Sequence, residues 1–209
     1  MRRRPTLKTI EVFASVQGEG LRQGEPTIFV RLAGCNLKCT FCDTKRAWRG
    51  GREVPVASIV QEVGRLRRRF PASWVCLTGG EPLAQDIGPL VRGLFGEGLK
   101  IQVETNGTFP PAANVNWHTV SPKPPDYDFH PGFRKRASEV KLVASRELSL
   151  DAVRMVRKAF PTRIPLILQP QSNTQWSRQK ALRILERALR SGLVNIRLSF
   201  QLHKVYKLK

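Results

Sequence analysis

No stretch of the 209 residues approaches the roughly 18 consecutive apolar positions that a membrane span requires. The basic start, Met1 to Pro5, leads into polar and charged residues rather than into the apolar core of a secretion signal. A cytoplasmic protein with reduced thiols is therefore expected. Four cysteines are too few and too unevenly placed for a disulfide framework, and neither internal repeats nor low-complexity segments occur. Acidic residues are scarce, 16 against 36 Lys and Arg, for a formal net charge of +20. Such a balance points to a polyanion. The basic residues, however, are spread along the chain, with short clusters at 2–4, 67–69 and 134–136. That scatter reads as a solvated surface, and direct nucleic-acid binding is not expected.

At 41% apolar and 25% charged, the chain can bury a sizeable core. Its length predicts one domain over residues 1–209. Apolar runs rich in β-branched and aromatic residues recur at 26–33, 74–78, 99–104, 116–120, 138–143, 164–169 and 194–200. Helical periodicity lies between several of them. Val56, Ile59, Val60, Val63, Leu66 and Phe70 share one helix face, as do Ile87, Leu90, Val91, Leu94 and Phe95, and residues 149–160 and 175–191 repeat the pattern. Strands alternating with helices predict parallel βαβ units. The pairs are too few for an eightfold barrel, so the expected fold is α/β, a partial, open β/α barrel.

Polar, Gly-rich segments follow the apolar runs in phase: Gly34-Cys35-Asn36, Thr78-Gly79-Gly80-Glu81-Pro82, Glu104-Thr105-Asn106-Gly107, Ser121-Pro122-Lys123 and Gln169-Pro170-Gln171. In parallel α/β architectures the C-terminal strand ends build the active site, so these segments should converge on one rim. Cys35, Cys39 and Cys42 fall within eight residues, while Cys76 stands alone in an apolar run as a small buried hydrophobe. Three thiolates at this spacing can hold three corners of an iron–sulfur cube and leave the fourth iron open. The competing readings are inert buried thiols, or a zinc site completed by His118, His130 or His203.

The CxxxCxxC loop followed by Gly79-Gly80-Glu81 resembles the radical S-adenosylmethionine superfamily. Further segments narrow the likeness: Val16-Gln17-Gly18-Glu19-Gly20, Phe29 to Leu37, Cys42-Asp43-Thr44, Ser121-Pro122-Lys123 and Gln201-Leu202-His203-Lys204. In order, and from residue 16 to the end, these resemble the 7-carboxy-7-deazaguanine synthases. The resemblance implies a [4Fe–4S] cluster on Cys35, Cys39 and Cys42, S-adenosylmethionine and Mg²⁺. It implies that a 5′-deoxyadenosyl radical takes a hydrogen from 6-carboxy-5,6,7,8-tetrahydropterin, which contracts to 7-carboxy-7-deazaguanine with loss of ammonia. The product is a precursor of the tRNA bases queuosine and archaeosine. It also implies a flavodoxin- or ferredoxin-like electron donor and a homodimer. The rival readings are another radical enzyme of the superfamily, such as a glycyl-radical activase, and a zinc-containing RNA-binding protein.

The same resemblance implies residue roles. Thr44 would ligate Mg²⁺. Phe41, Cys42, Asp43, Gly79, Gly80, Glu81, Glu104, Ser121, Pro122, Lys123, Gln169, Pro170, Gln171 and Ser172 would hold S-adenosylmethionine. Val16, Gln17, Gly18, Glu19, Arg31, Thr78 and His203 would bind the pterin, together with the α-carboxylate of Lys209. Physical fit supports some of these: the Arg31 guanidinium can fork onto a carboxylate, and glycine admits a ligand close to the backbone.

Overall fold

The computed structural model describes residues 4–208. Strands β1 (Thr6–Val16) and β2 (Pro26–Leu32) form an antiparallel hairpin, and β3 (Arg52–Pro55) pairs antiparallel with the outer side of β1. From β2 onward every pairing is parallel, through β4 (Trp74–Gly79), β5 (Lys100–Thr105), β6 (Trp117–Val120), β7 (Glu139–Ala144), β8 (Leu166–Pro170) and β9 (Ile196–Leu198). The sheet runs β3-β1-β2-β4-β5-β6-β7-β8-β9 and stays open, as the expected partial barrel requires. The main helices are α1 (Val56–Arg69), α2 (Gly88–Gly96), α4 (Leu150–Ala159) and α5 (Gln175–Arg190); α3 (Phe133–Arg136) and α6 (Leu202–Val205) are single turns.

All seven expected strands and four expected helices form. Two strands escaped the sequence reading. The β1 sequence mixes charged and apolar residues, and β3 is a four-residue edge strand with little burial. The 194–200 run shortens to Ile196–Leu198, because only Ile196 of that edge strand reaches the core. Local chemistry fixes the helix ends. Ser149 caps α4 by accepting the Ala152 amide at 3.0 Å, and Arg67, Arg68 and Arg69 crowd the C-terminal turn of α1, where the helix dipole favours cations.

Each parallel strand has two chemically different faces. Ile28, Val30 and Leu32 of β2, Val75 and Leu77 of β4, Ile101 and Val103 of β5, Val140 and Leu142 of β7 and Leu166 and Leu168 of β8 belong to the two hydrophobic clusters that also receive the helices. Full burial of each such side chain contributes roughly 1.5–3 kcal/mol. The alternate residues, Arg31, Thr78, Glu104, Lys141 and Gln169 among them, line a single cavity. A strand's period of two thus builds the core and the site from the same short segment.

Candidate active site

Cys35, Cys39 and Cys42 are half-buried on the loop after β2 and all line the cavity. Burial pushes the Cys35 and Cys39 thiols up, and their neighbouring sulfurs push the same way. Cys76 is fully buried in β4, away from the cavity lining, with its Sγ 3.9 Å from Gln17 Nε2. Three soft thiol ligands facing one space, with no fourth cysteine beside them, fit an iron–sulfur cluster with an open position. Of the three histidines considered for zinc, His118 packs edge-on against Phe133, and His130 Nδ1 accepts the Gly132 amide. His203 alone of the three lines the cavity.

The cysteine loop is seated on the end of β4. Gly79 has a φ of +125°, open to glycine, and a β-carbon there would strike the Leu32 backbone. A β-carbon on Gly80 would overlap the carbonyl of Gly34, the residue before Cys35. Glu81 departs from its expected role. It is fully buried and does not line the cavity; its carboxylate accepts from Leu83 N at 3.0 Å, Thr105 Oγ1 at 2.8 Å and Asn106 N at 2.6 Å. It clamps β4 to β5 behind the glycines. Pro122 also stays out of the lining, whereas its neighbours enter it: Lys123 Nζ lies 2.5 Å from Ser121 Oγ and 2.7 Å from Ser121 O. Burial pulls the Lys123 ammonium's pKa down.

A charged network crosses the cavity floor. Lys141 Nζ donates to Glu19 Oε2 at 2.5 Å and to Glu104 Oε2 at 2.7 Å. Burial opposes ionisation of Glu19, but the Lys141 ammonium and hydrogen bonds from Lys141 and Gln201 outweigh it and hold the carboxyl at about 2. Glu104 goes up, because burial and the Glu19 charge outweigh the same ammonium. Gln17 lines the same cavity. Its side chain is buried and engaged within the protein, donating to Gln102 Oε1 at 2.9 Å and accepting the Glu19 amide at 3.2 Å. It orients Glu19 instead of presenting a free amide.

Gln201 and His203 border the cavity. Gly18 accepts the Leu202 amide at 2.9 Å, and a β-carbon on Gly18 would collide with the His203 ring. Gln201 Nε2 donates to Glu19 Oε1 at 2.6 Å and to Asp43 Oδ2 at 3.1 Å. Glu19, Asp43 and His203 bring ligand atoms within 4.8 Å of one another, with that amide joining the two carboxylates. The expected Lys209 carboxylate lies outside the described residues.

Three further side chains complete the geometry. Arg31 Nε donates to Glu11 Oε1 at 2.9 Å, and Arg46 pairs with the same oxygen. Thr44 Oγ1 donates to Asp43 Oδ1 at 3.0 Å. Gln169 is buried beside the cavity with Oε1 unpartnered, an acceptor that an adenine amino group could satisfy.

The Radical SAM superfamily model matches residues 29–200. The chain is 36% identical over 211 residues to the 7-carboxy-7-deazaguanine synthase of Aquifex aeolicus, covering 95% of this chain and 93% of that one. The chain belongs to this family. The enzyme of the same name from Methanospirillum hungatei is 35% identical over 95% of this chain and 84% of its own. The crystal structure of QueE from Escherichia coli superposes with a TM-score of 0.77 at 28% identity, covering 95% of each chain. Streptococcus suis SuiB, 15% identical with a TM-score of 0.58 over 84% of this chain and 48% of its own, shares the fold alone.

Within this 7-carboxy-7-deazaguanine synthase family member, all other expected site residues among the described ones line the cavity: Val16, Gln17, Gly18, Glu19, Arg31, Phe41, Asp43, Thr44, Thr78, Gly79, Gly80, Glu104, Ser121, Lys123, Gln169, Pro170, Gln171, Ser172 and His203, with the three cysteines. Lys141 and Gln201, along with the aromatic walls Phe13, Phe29 and Trp48, also line the cavity without being among the site residues expected from the sequence. A lysine placed on the polar register of an otherwise apolar run, Glu139-Val140-Lys141-Leu142, was the available signal for the first. No helix among the described residues is long and apolar enough to cross a membrane.

Proposed function

We propose that this chain, acting as one domain, converts 6-carboxy-5,6,7,8-tetrahydropterin to 7-carboxy-7-deazaguanine and ammonia, a step toward the 7-deazapurine bases of tRNA. The observation that carries this reading is one cavity joining three thiols to a separate set of carboxylate, guanidinium and imidazole groups. A glycyl-radical activase needs the first set and has no use for the second. Substrate minus ammonia is the product, so the conversion itself is redox-neutral.

A [4Fe–4S] cluster on Cys35, Cys39 and Cys42 would supply the electron that splits S-adenosylmethionine, and with it the radical that starts the reaction. The chain's own residues position the partners. Gly79 and Gly80 let the amino acid end of S-adenosylmethionine approach the backbone, with Glu81 locking them from behind. Glu104 accepts from the ribose hydroxyls, Lys123 and Ser121 reach its polar groups, and Gln169 and the turn after β8 take the adenine. Arg31, with Nε anchored on Glu11, offers its terminal nitrogens to the pterin carboxylate. Glu19, ionised, accepts from the pterin ring N–H groups, and His203 sits beside it as a donor. Phe13, Phe29, Phe41 and Trp48 keep water from the reacting atoms.

Thr44 would hold Mg²⁺ through its hydroxyl, a hard oxygen ligand for a hard cation, with substrate oxygens completing the shell. A flavodoxin- or ferredoxin-like protein supplies the electron, and the enzyme works as a cytoplasmic homodimer. The test is anaerobic reconstitution with iron and sulfide, then incubation with reductant, S-adenosylmethionine and the carboxytetrahydropterin. Formation of 7-carboxy-7-deazaguanine is expected. A brown, iron-loaded protein that cleaves S-adenosylmethionine yet never yields this product would refute the reading.

A further inference from the structure

Lys141 is a buried cation with two anionic partners from different parts of the fold. Glu19 comes from the β1–β2 hairpin and Glu104 from the end of β5, and the Lys141 ammonium touches both, at 2.5 and 2.7 Å. The side chain of Lys141 is 7% exposed and those of the two glutamates 16% each. In the proposed function Glu19 reads the pterin and Glu104 reads S-adenosylmethionine, and the role of Lys141 rests on that reading. We propose that Lys141 is the positioning residue that sets substrate and cofactor relative to each other, by anchoring the carboxylate that reads each of them on one ammonium.

The remaining contacts cannot do this. Glu19 Oε1 accepts from Gln201 Nε2 at 2.6 Å, and Glu104 Oε1 from Gln102 Nε2 at 3.2 Å. These amides direct the carboxylates without balancing their charge. Two anions sharing one small buried volume repel strongly unless a cation lies between them, or else one of them takes up a proton. Other titratable groups lie near: Lys123 from the segment after β6, His203 on α6 and Glu139 on β7 itself. None of them forms a hydrogen bond to both carboxylates. Without Lys141 the two carboxylates separate or one becomes neutral, and the ligands they hold shift together with them. Hydrogen transfer between carbons demands near-contact geometry, and a misplacement of about 1 Å can cost on the order of 100-fold. The expected symptom is uncoupling: S-adenosylmethionine is cleaved while the pterin is missed.

The experiment compares wild type, Lys141→Met and Lys141→Arg as reconstituted enzymes. It measures the ratio of 5′-deoxyadenosine to 7-carboxy-7-deazaguanine, the melting temperature, and the infrared bands of ¹³C-labelled glutamate across neutral pH. Lys141→Met should raise the ratio about tenfold or more and show a protonated carboxyl band that wild type does not. Lys141→Arg keeps the charge but displaces the carboxylates, so the ratio should rise several-fold in a protein that melts like wild type. It carries the test should the Met variant fail to fold. An unchanged ratio in a folded variant, with wild type active, overturns the role of Lys141 and leaves the functional reading standing. A wild type that makes no product overturns the functional reading itself, and this inference with it.

Discussion

The amide of Glu81 donates to the carbonyl oxygen of Gly34 at 2.7 Å, tying the loop that carries the cysteines to the end of β4. The close approach leaves no room for a β-carbon on Gly80. Gly80→Ala should therefore unseat the cysteine loop while leaving the two hydrophobic clusters intact. The expected result is loss of most reconstituted iron in a protein whose far-ultraviolet circular dichroism is that of wild type. Full iron loading of this variant would show that the loop holds its shape without the contact.

Cluster retention should divide the cysteines three to one. Removing Cys35, Cys39 or Cys42 takes away a cavity-facing thiol, whereas Cys76 is a packed side chain within β4. Cys76→Ala should keep iron and activity, at a packing cost of roughly 1–2 kcal/mol seen in the denaturation midpoint. Iron analysis of the four single variants decides the matter, and a cluster-free Cys76→Ala would reverse the assignment.

Arg31 is held by Glu11 on one side and lines the cavity on the other. A pterin without its 6-carboxyl group would leave this part-buried guanidinium unmatched, so it should bind wild type roughly 10- to 100-fold more weakly than the acid. Arg31→Lys should lose the preference, because an ammonium cannot reproduce the planar fork. Equal binding of the two pterins to wild type would give Arg31 a structural role only.

Mg²⁺ dependence should run through Thr44. Thr44→Ala is expected to lower turnover about tenfold or more and to flatten its response to added Mg²⁺. S-adenosylmethionine cleavage without substrate should persist, since the cofactor contacts lie on other residues. Titrating Mg²⁺ into both proteins checks this; a variant with the wild-type Mg²⁺ response would remove Thr44 from the metal.

Acid should destabilise the fold through His118. Burial holds its pKa at about 4, against an ordinary 6.5, and outweighs the backbone hydrogen bonds that favour the charged ring. The unfolded chain takes up a proton near 6.5 that the folded chain refuses until about 4, so stability falls as pH drops through that window. This site contributes a loss of up to roughly 3 kcal/mol. His118→Leu should abolish that portion, leaving the contributions of His203, also lowered by burial, and of Glu19, whose depressed carboxyl acts only below its ordinary range. Urea denaturation of both proteins from pH 7 to 4 measures the difference, and parallel curves would place the sensitivity elsewhere.

Local information in the chain was enough for the parallel strands, the four main helices, the cysteine loop and nearly every cavity residue carried by a motif. β-Branched runs select extended chain, a 3.6-residue period selects helix, and close-spaced thiols need only a loop. The hydrogen-bond partners of Glu81 and Gln17 are not legible in the sequence. Their neighbours in sequence mark a ligand site, but their hydrogen bonds go to Thr105, Asn106 and Gln102, which only the assembled sheet brings near. Lys141 was hidden within an apolar run, because a single inward lysine has no meaning until β5 and the β1–β2 hairpin place Glu104 and Glu19 against it. Assembly of the sheet settled which polar groups pair with one another and which remain for a ligand. Burial makes an unpaired charge costly, and partners 37 and 122 residues apart meet only once the strands are side by side.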